Sequence, residues 1–298
     1  MMNRHHNDNP MPITLVLRLR KAILLTCAAF ASFTLCAPAE AQEVDLGTAA
    51  QYAGFFFGNA SSLTDVVGRL AVGGNLSIGG TSVGGGVASS STQASLVVGG
   101  NITAFTGGTI GSSANNSYGV YAGSKAAAVP SYLTLHQAAF SPVDFAAENT
   151  YLSILSQQLA ARAPTGSVSQ QYSTVTLTGS NSNIEVFNLT AAQVKSTLTM
   201  ALVNVKSSAT LIFNVAADSQ KHVQIGITTT VLQNRQGKVL YNLADTDVLN
   251  FTGVWIWGSV LAPAACVNNS SGHIEGAIIA ASWNSNMEIG NSPFQPTN

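Results

Sequence analysis

The chain has 298 residues, and only 8% of them are charged, against about 25% in an ordinary globular protein. Its net charge of −1 favours neither nucleic acid nor an anionic membrane surface as partner, and 46% hydrophobic residues is too many for a disordered chain. Gly, Ser, Thr and Asn supply most of the polarity, a mixture suited to a β-rich body solvated by hydroxyls and amides.

In chain order, the first element is an export segment. Arg18, Arg20 and Lys21 form a basic n-region, residues 22–35 (AILLTCAAFASFTL) an apolar h-region, and Ala39-Glu40-Ala41 a small-x-small cleavage site. The apolar run falls short of the roughly 20 residues of a spanning helix. A signal peptide over 1–41, cleaved after Ala41, is therefore expected, leaving one domain over 42–298 without a membrane span. Cys27 and Cys36 depart with the leader, so Cys266 can form no intramolecular disulfide. Within LAPAACV it is expected to be a small buried hydrophobe.

From Val66 to Gly123, short β-branched bursts are cut by glycine pairs: VVGRLAVGGN, LSIGGTSVGGGV, SLVVGGNIT, GGTIGSS and YGVYAG. Each burst alternates over a few residues, and the corner glycines are expected to supply positive φ. The phrase VGGN occurs twice, 26 residues apart, and GSVLA at Gly258 is followed 18 residues later by GAIIA at Gly276. Repeats too small to bury their own apolar face predict stacked coils, here a right-handed β-solenoid (β-helix) in the all-β class.

One long α-helix interrupts the strands near 142–162. Ser141 is placed as its N-cap, Pro142 in the first turn and Asp144 at the third position. Phe145, Leu152, Leu155 and Leu159 form a single apolar stripe, so the helix is expected to lie along a flat side of the solenoid. Strands then resume at 172–179, 184–189, 209–215, 223–232, 239–243, 254–262 and 273–283, with a short helical turn at 190–195.

Most motifs carry no chemistry. VGGN lacks the Lys-Ser/Thr of a phosphate loop and opens no helix, so it is taken as a solenoid corner. Gly80-Thr81-Ser82-Val83-Gly84 matches a nucleophile elbow in letters only, because no helix follows. His136, His222 and His273 are scattered; His273 and Glu275 could touch on a strand, as a surface pair rather than a metal site. Asp245 and Asp247, near Arg235 and Lys238, would matter to a glycan-cleaving enzyme only as part of a groove with at least three carboxylates. Catalytic residues, metal ligands and cofactors are expected to be absent. Thr174, Thr176 and Thr178 point to one side of their strand, with Thr197, Thr199, Thr228 and Thr230 repeating the spacing, and these rows are the candidate ligand-binding residues. Threonine is also the ordinary polar choice on an exposed strand face.

The C-terminal third, VLYNLADTDVLNFTGVWIWGSVLAPAACVNNSSGHIEGAIIAASWNSNMEIGNSPF, resembles the closing region of the choice-of-anchor A family of bacterial surface proteins. The resemblance is carried by Tyr241-Asn242, by Gly258 to Ala264, by Gly276 to Ala280, and by Glu288 with Asn291 and Phe294. AGFFFGNASSLTDVVGRLAVGGN (53–75) is similar to the family's opening and VDFAAENTYLSILSQQLA (143–160) to its helix. The order of elements also resembles the bacterial ice-binding fold. The resemblance implies a secreted or cell-surface adhesive module that binds an extracellular protein, glycan or matrix ligand through Asn, Thr, Ser and aromatic groups. Ice binding through flat threonine rows is the second expectation, and a glycan-active β-helix enzyme the third.

Overall fold

The computed structural model describes residues 44–112 and 117–296, all within one compact unit, Glu43–Asn298. The predicted leader, 1–41, lies outside the described residues.

The glycine-cut bursts become short parallel strands stacked in register. On one face ten strands follow one another: Ile184–Thr190, Thr210–Ala216, Val239–Asn242, Ser259–Asn268, Ile278–Asn284, Gly54–Phe56, Leu70–Val72, Leu96–Val98, Gly119–Tyr121 and Leu135–Gln137. This order is not the chain order. The chain starts in the middle at Gly54–Phe56, winds outward to Leu135–Gln137, crosses to the far end at Ile184, and winds back until Ile278 pairs with Gly54. The result is a mostly β, solenoid-like body assembled from two half-solenoids that meet at one seam.

Inward side chains of the stacked strands, such as Leu70, Val223, Leu249 and Ile274, close the core. Phe187, Phe213 and Tyr241 stack from coil to coil inside it, with ring centroids 6.1 and 5.1 Å apart, and Phe56 packs on Trp283. Each end is covered. Ser167–Gln171 runs antiparallel along Thr174–Thr178 at one end, and Val129 and Leu133 bury themselves at the other, which shields the ends of the core from water.

The corner glycines serve two purposes: Gly84, Gly108 and Gly111 have the expected positive φ, whereas those of the two VGGN corners answer to packing. Gly73, Gly74, Gly99 and Gly100 do not have positive φ. A Cβ on Gly73 would lie 2.3 Å from the Phe57 carbonyl oxygen, and one on Gly99 2.6 Å from that of Gly73. Coils stacked at strand spacing leave no room there for a side chain. The asparagine that ends each corner forms a ladder: Asn59 Oδ1 accepts the Asn75 N–H, Asn75 Oδ1 the Asn101 N–H, and Asn101 Oδ1 the Ser124 N–H. Glycine corners also cut three expected strands. Segment 223–232 is a strand only over His222–Ile225, where Gly226 packs against Ser196. Segments 254–262 and 273–283 each break, at Gly258 (φ +146°) and at Gly276.

The helix α1 spans Phe145–Ala160, shorter at both ends than expected. Asp144, not Ser141, is its N-cap: Asp144 Oδ1 accepts the Ala147 N–H, whereas Ser141 Oγ accepts the Val143 N–H in a turn ahead of the helix. A carboxylate suits the positive end of the helix better than a hydroxyl does. The expected stripe is the packed face, with Leu152, Leu155 and Leu159 buried against Phe55, Ile212, Leu240, Leu261 and Ile279, which point outward from the ten-strand face. Ten strands need about 43 Å of travel, and the 16-residue helix supplies about 24 Å of it. A second polar ladder fixes its position. Asn242 receives Ser156 Oγ–H on its Oδ1 and donates to Asn214 Oδ1, and Asn214 donates to the Leu159 carbonyl.

Candidate functional site

Among the described residues, no helix lies over a second face of the solenoid. Strand Val254–Ile256 turns Val254 and Ile256 inward and Trp255 outward. Trp255 is 51% exposed although it is a large aromatic side chain. The next coil places His273 in register with Trp255, the following one Glu288, and across the seam come Asp65, Ser82 and Thr109. Six outward side chains thus form one row along the solenoid, with steps of about 4.8 Å.

The row is built tightly at its aromatic end. Trp255 and Trp257, two residues apart on one side of the chain, lie nearly parallel at 5.3 Å between ring centroids, and the His273 ring sits 4.5 Å from that of Trp255. His273 Nε2 is 3.0 Å from Glu275 Oε2, and its Nδ1 is 3.7 Å from Glu288 Oε2. Glu275 Oε1 also accepts a hydrogen bond from Ser292 Oγ. Partial burial raises the Asp65 carboxyl above its usual range, opposed by the Val66 N–H and reinforced by the Glu288 charge. No lysine or arginine belongs to the row. Chemically this is a flat apolar ledge continued by acceptor groups, an arrangement able to hold a neutral or cationic ligand and hostile to an anionic one.

The threonine candidates lie beside it. Strand Thr174–Thr178 pairs in parallel with Thr199–Val203, so Thr174 faces Thr199, which bridges to Thr228, while Thr176 faces Ala201 and Thr178 faces Val203. All three predicted residues are half-buried. One row of three threonines therefore forms, and the other two rows end on apolar side chains. Thr197 sits in a turn and Thr230 in a short helical turn, off the sheet. The patch adjoins the aromatic ledge, since Thr229 Oγ1 donates to the Trp255 carbonyl.

Other candidates stay apart. Gly80 to Gly84 ends strand Leu76–Val83 and leads into a turn. Asp245 and Asp247 are exposed and pair with Lys221, at 3.2 and 3.9 Å, while Arg235 is spent on the Lys206 carbonyl. Cys266 corrects the expectation of burial: it is half-exposed, facing out between Val248 and Ser282, because the inward positions of its strand fall on Ala265 and Val267. A cavity of about 420 Å³ between Gln51, Arg69, Gly86, Asn291 and Ser292 includes neither the threonines nor the tryptophans. No cluster of three or more His, Cys, Asp or Glu able to hold a metal ion occurs among the described residues.

Sequence reasoning saw His273 and Glu275 as an isolated pair and missed Trp255, Trp257, Glu288 and Asp65. The signal was present. The 18-residue repeat from Gly258 to Gly276 is the same step that carries Trp255 onto His273.

The chain is thus a mostly β, solenoid-like body with a lateral helix and an open, solvent-facing ladder. The chain belongs to the family described as "Putative Ice-binding-like adhesive domain", whose model matches residues 45–291. Comparison with curated proteins finds no match. Among solved structures, an ice-binding protein from the Antarctic ascomycete Antarctomyces psychrotrophicus is 13% identical, with 83% of this chain and 97% of that one covered and a TM-score of 0.41. An ice-binding protein from an Arctic yeast is 15% identical, covering 86% and 96%, with a TM-score of 0.38. The family match, not these distant likenesses, is what assigns the chain.

Proposed function

We propose that this protein is an exported, non-catalytic adhesive module that holds an extracellular or cell-surface ligand against its open face. One observation carries the reading: half of Trp255 is exposed on a rigid sheet, stacked on Trp257 with the His273 ring tilted against it, and serving no core. Stiff aromatic side chains on a fixed backbone lose little entropy on contact, which is how few residues come to dominate a binding surface. The predicted signal peptide, with cleavage after Ala41, the choice-of-anchor A resemblance and the right-handed winding belong to the same reading. Beads coated with the purified protein should adhere to cells or extracellular matrix, and Trp255→Ala should abolish adhesion. Adhesion equal to that of albumin-coated beads would remove the proposal.

Ice binding is the second reading, favoured by the in-register row Thr174–Thr199–Thr228 on the same face. The short row and the bulky Trp255 beside it give ice little flat surface. Under the adhesive reading the protein leaves ice recrystallisation unchanged; inhibition that is lost on Thr199→Tyr would replace adhesion with ice.

A further inference from the structure

We propose that the row Trp255–His273–Glu288–Asp65 is a binding track for an extended amino-sugar glycan, a chain of pyranose rings carrying protonated amines. The proposal rests on the adhesive reading and names the ligand class that the open face takes.

Two independent observations point to this chemistry. The first is the ledge. An indole with half its surface open, stiffened by a parallel indole and a histidine ring, offers a π-face to the C–H face of a pyranose and to a nearby ammonium group. The second is an uncompensated charge. Glu288 and Asp65 stand directly across from one another on adjacent strands at the seam. Like charges so placed oppose strand pairing. His273 faces Glu275 and Glu288, but no lysine or arginine in the row answers Asp65. The fold gains nothing from this pair, whereas a ligand bearing cations would relieve it and would use the free acceptor positions for its hydroxyls.

The geometry selects further. The groups repeat at coil spacing along a straight line, close to the spacing of successive rings in an extended β-linked glycan. An acidic glycan would meet three carboxylates, Asp65, Glu275 and Glu288, and be repelled. A lysine-rich peptide could satisfy the charges but has no flat face to lay on Trp255.

The test is a titration of the purified protein at mildly acidic pH, followed by intrinsic tryptophan fluorescence and calorimetry. The probes are a glucosamine pentamer, an N-acetylglucosamine pentamer, a galacturonate pentamer and pentalysine. The glucosamine pentamer should bind saturably and lose affinity as salt rises, the acetylated pentamer should bind more weakly, and the galacturonate pentamer should not bind. Trp255→Ala and the double variant Asp65→Asn/Glu288→Gln should each weaken binding by about tenfold or more, with melting temperature and circular dichroism unchanged, and Trp255→Phe should retain most of it. The proposal is overturned if the glucosamine pentamer does not bind, if pentalysine binds as tightly, or if folded Trp255→Ala binds as wild type does. Release of reducing ends from a bound pentamer would overturn the non-catalytic reading instead. Coated beads that adhere to cells but ignore the pentamer would refute the glycan and leave adhesion standing; pentamer binding without adhesion to any surface would do the reverse.

Discussion

The helix-covered face and the tryptophan-bearing face of the solenoid share one plan of stacked parallel strands and differ in what their alternate residues point at. On the covered face eight of the ten strands turn outward Phe55, Ala71, Val97, Val186, Ile212, Leu240, Leu261 and Ile279, all buried in an apolar cluster with the helix. Only the last two strands, with Val120 and His136, run out from under it. On the open face the outward positions are Trp255, His273, Glu288, Asp65, Ser82 and Thr109. The first set is explained by folding, since burying aliphatic side chains drives it at about 25 cal/mol per Å². The second set is not. An exposed tryptophan and two facing carboxylates make the molecule no more stable, so the open face is where function can be sought.

The comparison breaks hardest on the covered side. Leu155 is 4% exposed in the helix–sheet contact, and Leu155→Asp would bury an unpaired charge there. The loss should be several kcal/mol, roughly 3–5, visible as a collapsed thermal transition; an unchanged melting point would refute the packing. Next come the corners. A Cβ on Gly276 would fall 2.3 Å from the Gly258 carbonyl oxygen, so Gly276→Val should cost about 1–3 kcal/mol or more through overpacking between coils, measured by urea denaturation.

A smaller effect is tied to pH. Glu185 is fully buried on the covered side's first strand. Burial acts to raise its pKa, but hydrogen bonds from Thr165, from the Ser182 N–H and from Ser180 outweigh it and lower the pKa. Because the folded value is depressed, the stabilisation is present above the ordinary carboxylate range and is lost as pH falls through the folded value. Stability measured from neutral to acid pH should therefore drop, and Glu185→Gln should flatten that limb; an identical acid limb in the variant would contradict the account.

Much of this was legible in the sequence, for a physical reason. Period-two bursts and glycine pairs are local, so the strands, corners and helix stripe could be read from Leu70 to Gly123 and from Phe145 to Leu159. Even register was encoded where coils repeat: the 26-residue step from VGGN to VGGN is the pairing of Leu70 with Leu96. What escaped depends on segments far apart. Nothing local says that Gly54 pairs with Ile278, so nothing local places Asp65 against Glu288, 223 residues later. The corner glycines were right in position, and positive φ was the right cause at Gly84 and Gly111; at Gly73 and Gly99 the cause is a clash with the neighbouring coil, which cannot be seen along one strand. Thr176 and Thr178 looked like members of long rows only until their partners proved to be Ala201 and Val203.

The central claim is that the open face binds while the covered face folds, and Trp255→Ala tests it in one preparation. Melting temperature and adhesion of coated beads would be measured together. The account predicts a melting temperature within a few degrees of wild type, as for a surface change of about 0.5 kcal/mol, with adhesion lost. Full adhesion by a well-folded Trp255→Ala protein would contradict it and move the binding surface elsewhere on the solenoid.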